Sequence, residues 1–183
     1  MRKLFLVPLL ILALIPRPSS ADDIKIKSEV NAKVTQLAAL MGDTYSHEYP
    51  DYRGIQILRN NKDDMVVAAA IFTIEGLEGG TNYTQFMAVF SMLSAVVPGH
   101  PQRMNLLDVM AVGGKGVRSI EFDKMAMTQV NSDIAITVPA LKYGPSDAMC
   151  CPSIKSEAHF IVSPRVGGRI QEITGNPNRS KGK

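Results

Sequence analysis

Two long apolar segments, residues 65–74 and 83–93, limit the possible folds of this chain more than any other feature. Both are rich in Ala, Val, Ile, Phe and Met, and both are apolar at odd and at even positions, which is typical of strands buried on two faces. The Gly-rich connection between them, residues 75–82, is too short for the crossover that parallel neighbours require. We therefore expect these segments to pair as antiparallel central strands, covered on one side by a helix.

Shorter apolar or alternating segments, separated by turn residues, predict further strands along the chain. Within residues 117–125, Ile120 and Phe122 alternate with charged neighbours, as in a half-buried strand. The connections are again short, so the sequence predicts an α+β fold in which an antiparallel β-meander sheet is packed by one N-terminal helix. The other predicted strands are residues 54–59, 106–112, 133–138, 157–162 and 168–173.

The N-terminal helix is indicated by apolar residues that recur every three or four positions. Ser28 is the expected N-cap, and Gly42 lies just past the expected end of the helix. The expected buried stripe consists of Val30, Val34, Leu37 and Met41.

The first 21 residues have the three parts of an export signal. Arg2 and Lys3 precede an apolar run, residues 4–15, which is followed by a breaker and by small residues that end at Ala21. The run is shorter than the roughly 20 residues that span a bilayer, so we expect cleavage after Ala21, no stable membrane insertion after processing, and a periplasmic or secreted protein. The predicted parts are a signal peptide (1–21), a single α+β domain (22–174) and a disordered polar tail (175–183).

The charge of the chain changes once the predicted signal is removed. The precursor has a net charge of +3, but residues 22–174 contain 14 Lys and Arg against 17 Asp and Glu, a net charge of −3. A nucleic-acid partner would require a basic stripe with interleaved aromatic residues, and none is visible. The sequence therefore predicts no nucleic-acid partner.

Cys150 and Cys151 are the only cysteines, and each has no partner in the chain except its neighbour. Adjacent Cα atoms are closer together than those of ordinary disulfides, so a bond between them would be easily reduced. Such a bond would serve as a redox-sensitive clasp, or the pair would merely shape the loop between Pro145 and Pro152. No spacing of His, Cys, Asp and Glu predicts a metal site, and no cofactor or catalytic motif is found.

Three segments carry a family resemblance. Residues 69–90, 112–119 and 143–153 resemble motifs of a widespread group of exported bacterial proteins of unassigned function. The most specific of these motifs is Gly-Pro-x-Asp-x-x-Cys-Cys-Pro-Ser, which begins at Gly144. The resemblance implies a compact secreted or periplasmic protein and carries over no catalytic activity.

The connection 75–83 is the expected binding loop, because it is mounted on two apolar strands that would hold it in place. Its residues 80–83 resemble the Ser-Gly-x-x-Tyr loop of a family of lysozyme inhibitors, with Gly79 in place of the serine. The same glycines and Tyr83 are also ordinary hairpin material. The candidate binding residues are Glu78, Gly79, Gly80, Asn82 and Tyr83.

Three function classes follow from these features. The favoured class is a small exported binding protein without enzymatic activity, whose partner is an envelope or secreted protein, with inhibition of a cell-envelope hydrolase or immunity against one as a subtype. The second is a redox-responsive or structural envelope protein that uses Cys150 and Cys151. The third is an enzyme of unrecognised type.

The export signal generates the first prediction. The mature protein should begin at Asp22 and should be released by osmotic shock, because signal peptidase reads the small residues before that position. N-terminal sequencing and intact-mass measurement of the released protein check this. Recovery of the full-length precursor in the membrane fraction would contradict it.

Overall fold

The computed structural model describes residues 21–60, 65–77, 79–93, 102–165 and 167–175. Within them, one helix packs against ten antiparallel strands, which confirms the predicted α+β class. The predicted signal peptide up to residue 20, Glu78, and the predicted tail beyond Gly175 lie outside the described residues. The elements are α1 (Ala21–Met41), β1 (His47–Glu48), β2 (Gly54–Asn60), β3 (Met65–Glu75), β4 (Tyr83–Leu93), β5 (Asn105–Gly114), β6 (Arg118–Ile120), β7 (Ala126–Val130), β8 (Asp133–Lys142), β9 (Ile154–Val162) and β10 (Ile170–Ile173), with short 3-10 turns at Pro50–Tyr52 and Phe122–Lys124.

Strand β3 lies at the centre of the molecule. Strand β4 pairs with it along one edge, and β1 and β2 share the other edge. Because successive side chains of a strand point to opposite faces, β3 contributes to two separate cores. Met65, Val67, Ala69 and Ile71 belong to an inner core, whereas Val66, Ala68, Ala70, Phe72 and Ile74 belong to a helix core beneath α1.

The sheet folds back on itself around the inner core. Its strand order is β1-β3-β4-β5-β6-β8-β9-β10, with β2 beside β3 and β7 beside β8. Side chains of β3 and β4 pack in the inner core against those of β8 and β9, including Ile136 and Phe160. The two halves of the sheet therefore face each other, and α1 covers the outer face of the first half.

Helix α1 begins earlier than the sequence predicted. Ser28 lies inside the helix and is exposed, so the prediction that it is the N-cap is wrong. Ile26 extends the buried stripe by one turn towards the N-terminus, and acidic residues in the first turn favour that end of the helix dipole. Gly42 follows the last helical residue, as predicted. The helix is not apolar enough to cross a membrane.

The predicted strand 117–125 is wrong as a single element. The chain pairs with β8 over β6, turns through Phe122–Lys124, and pairs with β8 again over β7, a strand that was not predicted. Alternation in sequence records which side chains face the core, and it does not show that the backbone continues in one direction. The turn is also held by tertiary packing, because the Phe122 carbonyl lies against Gly54 of β2, where there is no space for a Cβ atom.

Arg118 joins the two halves of the folded sheet. Its Nε donates a hydrogen bond to the Val112 carbonyl at 2.5 Å, and its guanidinium forms a bidentate ion pair with Glu172 of β10. The guanidinium also lies over the Phe160 ring, 5.7 Å from its centroid. Because Arg118 is only 9% exposed, its hydrogen bond to the Val112 carbonyl is shielded from water, whereas its ion pair with Glu172 is only partly buried.

The replacement Arg118→Met should lower the free energy of unfolding by about 1–3 kcal/mol, because it keeps the apolar volume but leaves the Val112 carbonyl without its donor. Urea unfolding of the purified protein measures the difference. The matched variant Glu172→Gln should cost less than about 1 kcal/mol, since the Glu172 side chain is 47% exposed. Equal stability of Arg118→Met and wild type would contradict the assignment.

The same pair predicts how stability changes with pH. The hydrogen bond from Arg118 lowers the pKa of Glu172 in the folded protein. The ion pair's contribution to the free energy of unfolding is therefore complete above the unfolded-state pKa of Glu172, about 4.3. It is lost as the pH falls through the pKa of Glu172 in the folded protein. Glu172→Gln should lose less stability than wild type on acidification below about pH 4.

Candidate functional site

The five tyrosines of the chain all lie at one end of the sheet. Tyr45, Tyr49 and Tyr52 belong to the segment between α1 and β2, which pairs with the last residues of β3 through β1. Tyr83 begins β4 directly opposite the end of β3. Tyr143 follows β8, and its hydroxyl accepts a hydrogen bond at 3.0 Å from a backbone amide in the β5–β6 turn. Tyrosines from three separate segments of the sequence therefore meet at one end of the sheet.

The inner core opens towards this end. Along β3, the row of side chains that contains the buried Ile71 continues with Thr73 and Glu75. Along β4, the equivalent row continues with Gln85 and Tyr83. The row thus changes from apolar to polar at the point where it leaves the core.

These row ends form one wall of a cleft of about 400 Å³, which we call the tyrosine cleft. It is lined by Tyr49, Tyr52, Thr73, Glu75, Tyr83, Gln85, Ser119, Ile120 and Phe122. Its volume is within the usual range for sites that hold a small molecule or a partner side chain.

Aromatic rings form the opposite wall of the cleft. Tyr49 and Tyr52 meet edge to face, with centroids 6.1 Å apart and planes at 88°. Tyr52 meets Phe122 in the same way, at 6.3 Å and 81°. Tyr49 is 41% exposed and Tyr52 is 58% exposed, so much of this aromatic surface is accessible.

The surroundings of the cleft raise the pKa of two of its phenol groups. The neighbouring Glu75 carboxylate raises the pKa of Tyr49. Burial raises the pKa of the half-buried Tyr83, and the nearby Tyr143 phenol adds to the effect. Both phenols are therefore protonated at neutral pH and can act as hydrogen-bond donors.

Arg53 fixes the segment that carries Tyr49 and Tyr52. Its guanidinium forms a bidentate, nearly buried ion pair with Glu48 and also donates to the Asn31 carbonyl at 3.0 Å and to Thr35 Oγ1 at 2.9 Å, both on α1. Bidentate pairs of this kind define geometry as well as adding stability. The aromatic wall is therefore attached to the helix.

Gln85 fixes the floor of the cleft. Its amide nitrogen donates to the Ile120 carbonyl at 3.0 Å, and its amide oxygen accepts from the Ile120 amide at 2.7 Å. Since both bonds are buried, this side chain joins β4 to β6 and is not available to a ligand.

The predicted binding loop, residues 75–83, borders the tyrosine cleft and contributes its two end residues, Glu75 and Tyr83, to the lining. Gly79 and Gly80 have φ angles of 81° and 89° and face open space. Asn82 is exposed, and its carbonyl accepts a hydrogen bond at 2.7 Å from Gly76. Tyr83 lines the cleft, whereas Glu78 lies outside the described residues.

The loop 75–83 packs against the segment that bears the other tyrosines. Gly76 has a φ of 79°, and a Cβ at this position would lie 2.6 Å from the Tyr45 carbonyl. Only glycine satisfies both conditions. The glycine therefore holds the β3–β4 turn next to the aromatic wall.

Cys150 and Cys151 form a disulfide with each other in an exposed loop beside the cleft. Asp147 closes this loop, because its carboxylate accepts hydrogen bonds from the Gly144 amide at 2.7 Å and from the Ser153 amide at 2.8 Å. These bonds lower the pKa of Asp147. The Gly, Asp and Ser positions of the Gly-Pro-x-Asp-x-x-Cys-Cys-Pro-Ser motif thus shape the loop.

Tyr143 connects the cysteine loop to the cleft. Its hydroxyl donates to the Met149 carbonyl at 2.5 Å, one residue before Cys150, and the Tyr143 phenol adds to burial in raising the pKa of Tyr83. The cysteines themselves do not line the tyrosine cleft.

Sequence reasoning did not identify Tyr49, Tyr52, Phe122 and Glu75 as residues of one cleft. One signal was present, since three of the five tyrosines occur within residues 45–52. Nothing in the sequence indicated that this segment would pair beside Glu75 and opposite Phe122.

The Gly-rich residues 113–116 belong to a hairpin. Gly114 pairs with Arg118, and Lys115 is part of the tight turn between β5 and β6. Among the described residues, no group of three or more His, Cys, Asp and Glu side chains could hold a metal ion.

No family model, curated protein or solved structure matches the chain. The resemblance to exported bacterial proteins therefore stays a prediction, and the use of the tyrosine cleft has to be inferred from its chemistry.

The cysteine loop generates a prediction about stability. The double variant Cys150→Ser/Cys151→Ser should lose only about 0–2 kcal/mol, because a bond between neighbours hardly constrains the unfolded chain and Asp147 closes the loop independently. Thermal and urea unfolding measure the loss. Failure of the double variant to fold at ordinary temperature would show that the disulfide is structural.

Proposed function

We propose that this chain is a small exported binding protein that holds a partner protein of the cell envelope at the tyrosine cleft. The observation that carries this proposal is the accessible cluster of Tyr49, Tyr52 and Tyr83 at the open end of the inner core. Tyrosine is enriched in protein interfaces, particularly at the residues that contribute most to affinity. It offers a large amphipathic surface with little conformational entropy to lose.

The rigidity of the site supports a binding role. Arg53 attaches the aromatic wall to α1, and Gln85 ties the floor to β6. A wall that is already ordered loses little entropy when a partner binds. An ordered aromatic wall is therefore better explained by recognition of a defined partner than by an ordinary solvent-exposed end of the sheet.

An envelope hydrolase is the first partner class to test. Residues 80–83 resemble an inhibitor loop, and this turn projects beside the cleft with Gly79 and Gly80 facing open space. A projecting turn beside an aromatic surface could enter a hydrolase cleft while the tyrosines contact its rim.

A redox-responsive role at Cys150 and Cys151 is the second candidate. It is favoured by the exposure of both residues and by Tyr143, which links their loop to Tyr83. A partner thiolate could attack one sulfur, form a mixed disulfide and release the other cysteine as a thiolate.

Capture from envelope extract tests the proposal. Immobilised mature protein should retain defined envelope proteins, and Tyr52→Ala or Tyr83→Ala should each abolish this retention, because they remove aromatic surface from the cleft. The matched control is Tyr45→Ala: this residue is 69% exposed at the same end of the sheet but does not line the cleft. Melting temperatures within a few degrees of wild type must accompany the loss.

The outcomes separate the candidate functions. Retention that depends on Tyr52 and inhibition of a captured hydrolase would support the binding role and its inhibitor subtype. Retention only through a reducible link to Cys150 or Cys151 would favour the redox role. Equal retention by wild type and both cleft variants would remove the tyrosine cleft as the binding site.

A further inference from the structure

We propose that the tyrosine cleft receives a cationic side chain, arginine or lysine, from the partner protein. This inference rests on the proposed binding function and names the chemical group that the cleft recognises. It is carried by the charge of the lining, by the arrangement of the rings and by the hydrogen-bonding capacity of Glu75.

The charged groups at the cleft are acidic. Glu75 lines the cleft, and none of the lining residues is Lys, Arg or His. Exposed acidic residues flank the aromatic wall on both sides, with Asp51 between Tyr49 and Tyr52, and Asp123 next to Phe122. A negative rim around a partly enclosed site attracts a cation and disfavours an acidic ligand.

The nearby basic groups have other contacts. Arg53 is held by Glu48, Lys124 pairs with Glu121, and Lys115 donates to Thr81. His47 lies opposite Glu75 in the β1–β3 ladder and is exposed, but it does not line the cleft. These basic groups of the described residues therefore add no positive charge to the cleft lining, which stays acidic.

The rings can surround a cation from more than one direction. Edge-to-face contacts place the planes of Tyr49, Tyr52 and Phe122 nearly perpendicular to their neighbours. Ring faces are electron-rich, and cations are bound over them in aromatic sites of this kind. An aliphatic stem of arginine or lysine would also pack well against these rings.

Glu75 can hold the charged end of the ligand. Glu75 lines the cleft and is exposed, and a carboxylate can accept about four hydrogen bonds, so acceptor sites are accessible to the N–H groups of a guanidinium or ammonium group. The carboxylate and the rings of Tyr49 and Tyr52 line the same cleft. The same cation could thus contact the carboxylate and the ring faces together.

Short peptides provide the test. Ac-Gly-Arg-Gly-amide and its lysine analogue are titrated into the isotope-labelled mature protein, with the citrulline peptide as a neutral control of nearly the same shape. Amide and tyrosine-ring resonances report where each peptide binds. The cationic peptides should shift resonances of Tyr49, Tyr52 and Tyr83 and bind about tenfold more tightly than the citrulline peptide, within the range of one cation–π contact and one ion pair.

Variants assign the effect to the cleft. Glu75→Gln keeps the shape of the side chain and removes its negative charge, so it should weaken binding of the cationic peptides about tenfold, and Tyr52→Ala should do the same. Glu157→Gln removes one negative charge elsewhere and should leave affinity unchanged, as should Tyr45→Ala. Equal affinity for the arginine and citrulline peptides, or an unchanged affinity in Glu75→Gln, overturns the inference.

The two proposals can fail separately. If capture of an envelope protein requires Tyr52 but is insensitive to Glu75→Gln and to excess arginine peptide, the binding function stands and the cationic occupant is wrong. If the cationic peptides bind in a Glu75-dependent manner but no envelope protein is captured through the cleft, the occupant is supported and the envelope partner is wrong.

Discussion

Burial of β3 on both faces is the constraint on which the rest of the structure depends. A strand that is apolar on both sides needs two separate covers, and here α1 supplies one and the second half of the sheet supplies the other. The sheet has to fold back to provide that second cover. The inner core then acquires open ends, and at one of them the side-chain row of β3 becomes polar.

Polar contacts determine which loops and side chains lie at that open end of the inner core. Arg53 attaches the tyrosine-bearing segment to α1, and Asp147 closes the cysteine loop. Arg118 holds the two halves of the sheet together further inside. Such contacts each add little net stability, but they select one arrangement of loops whose backbones would otherwise have several. The aromatic wall owes its position to this selection.

The accuracy of the sequence predictions depended on the kind of signal. Strands β3 and β4 were predicted nearly to the residue, since each is long, apolar and bounded by turn residues. The prediction of a strand at 117–125 failed because Ile120 and Phe122 alternate with charged residues as they would in a strand. The backbone nevertheless turns at Phe122, and this turn is held by packing on Gly54. In the candidate site, Tyr83 was predicted from its place at a strand end, whereas Tyr49, Tyr52 and Glu75 required knowledge of the β1–β3 register.

The sequence by itself determined the α+β class, the two central strands and the adjacent pair of cysteines, because these follow from local periodicity, short connections and covalent spacing. Only the tertiary structure decided that the sheet folds back, that the tyrosines of three separate segments meet at one end, and that Glu75 and Tyr49 line the same cleft. Those relations join residues far apart in the chain. They depend on the simultaneous packing of both cores by side chains from several segments, and this packing cannot be read from any one segment.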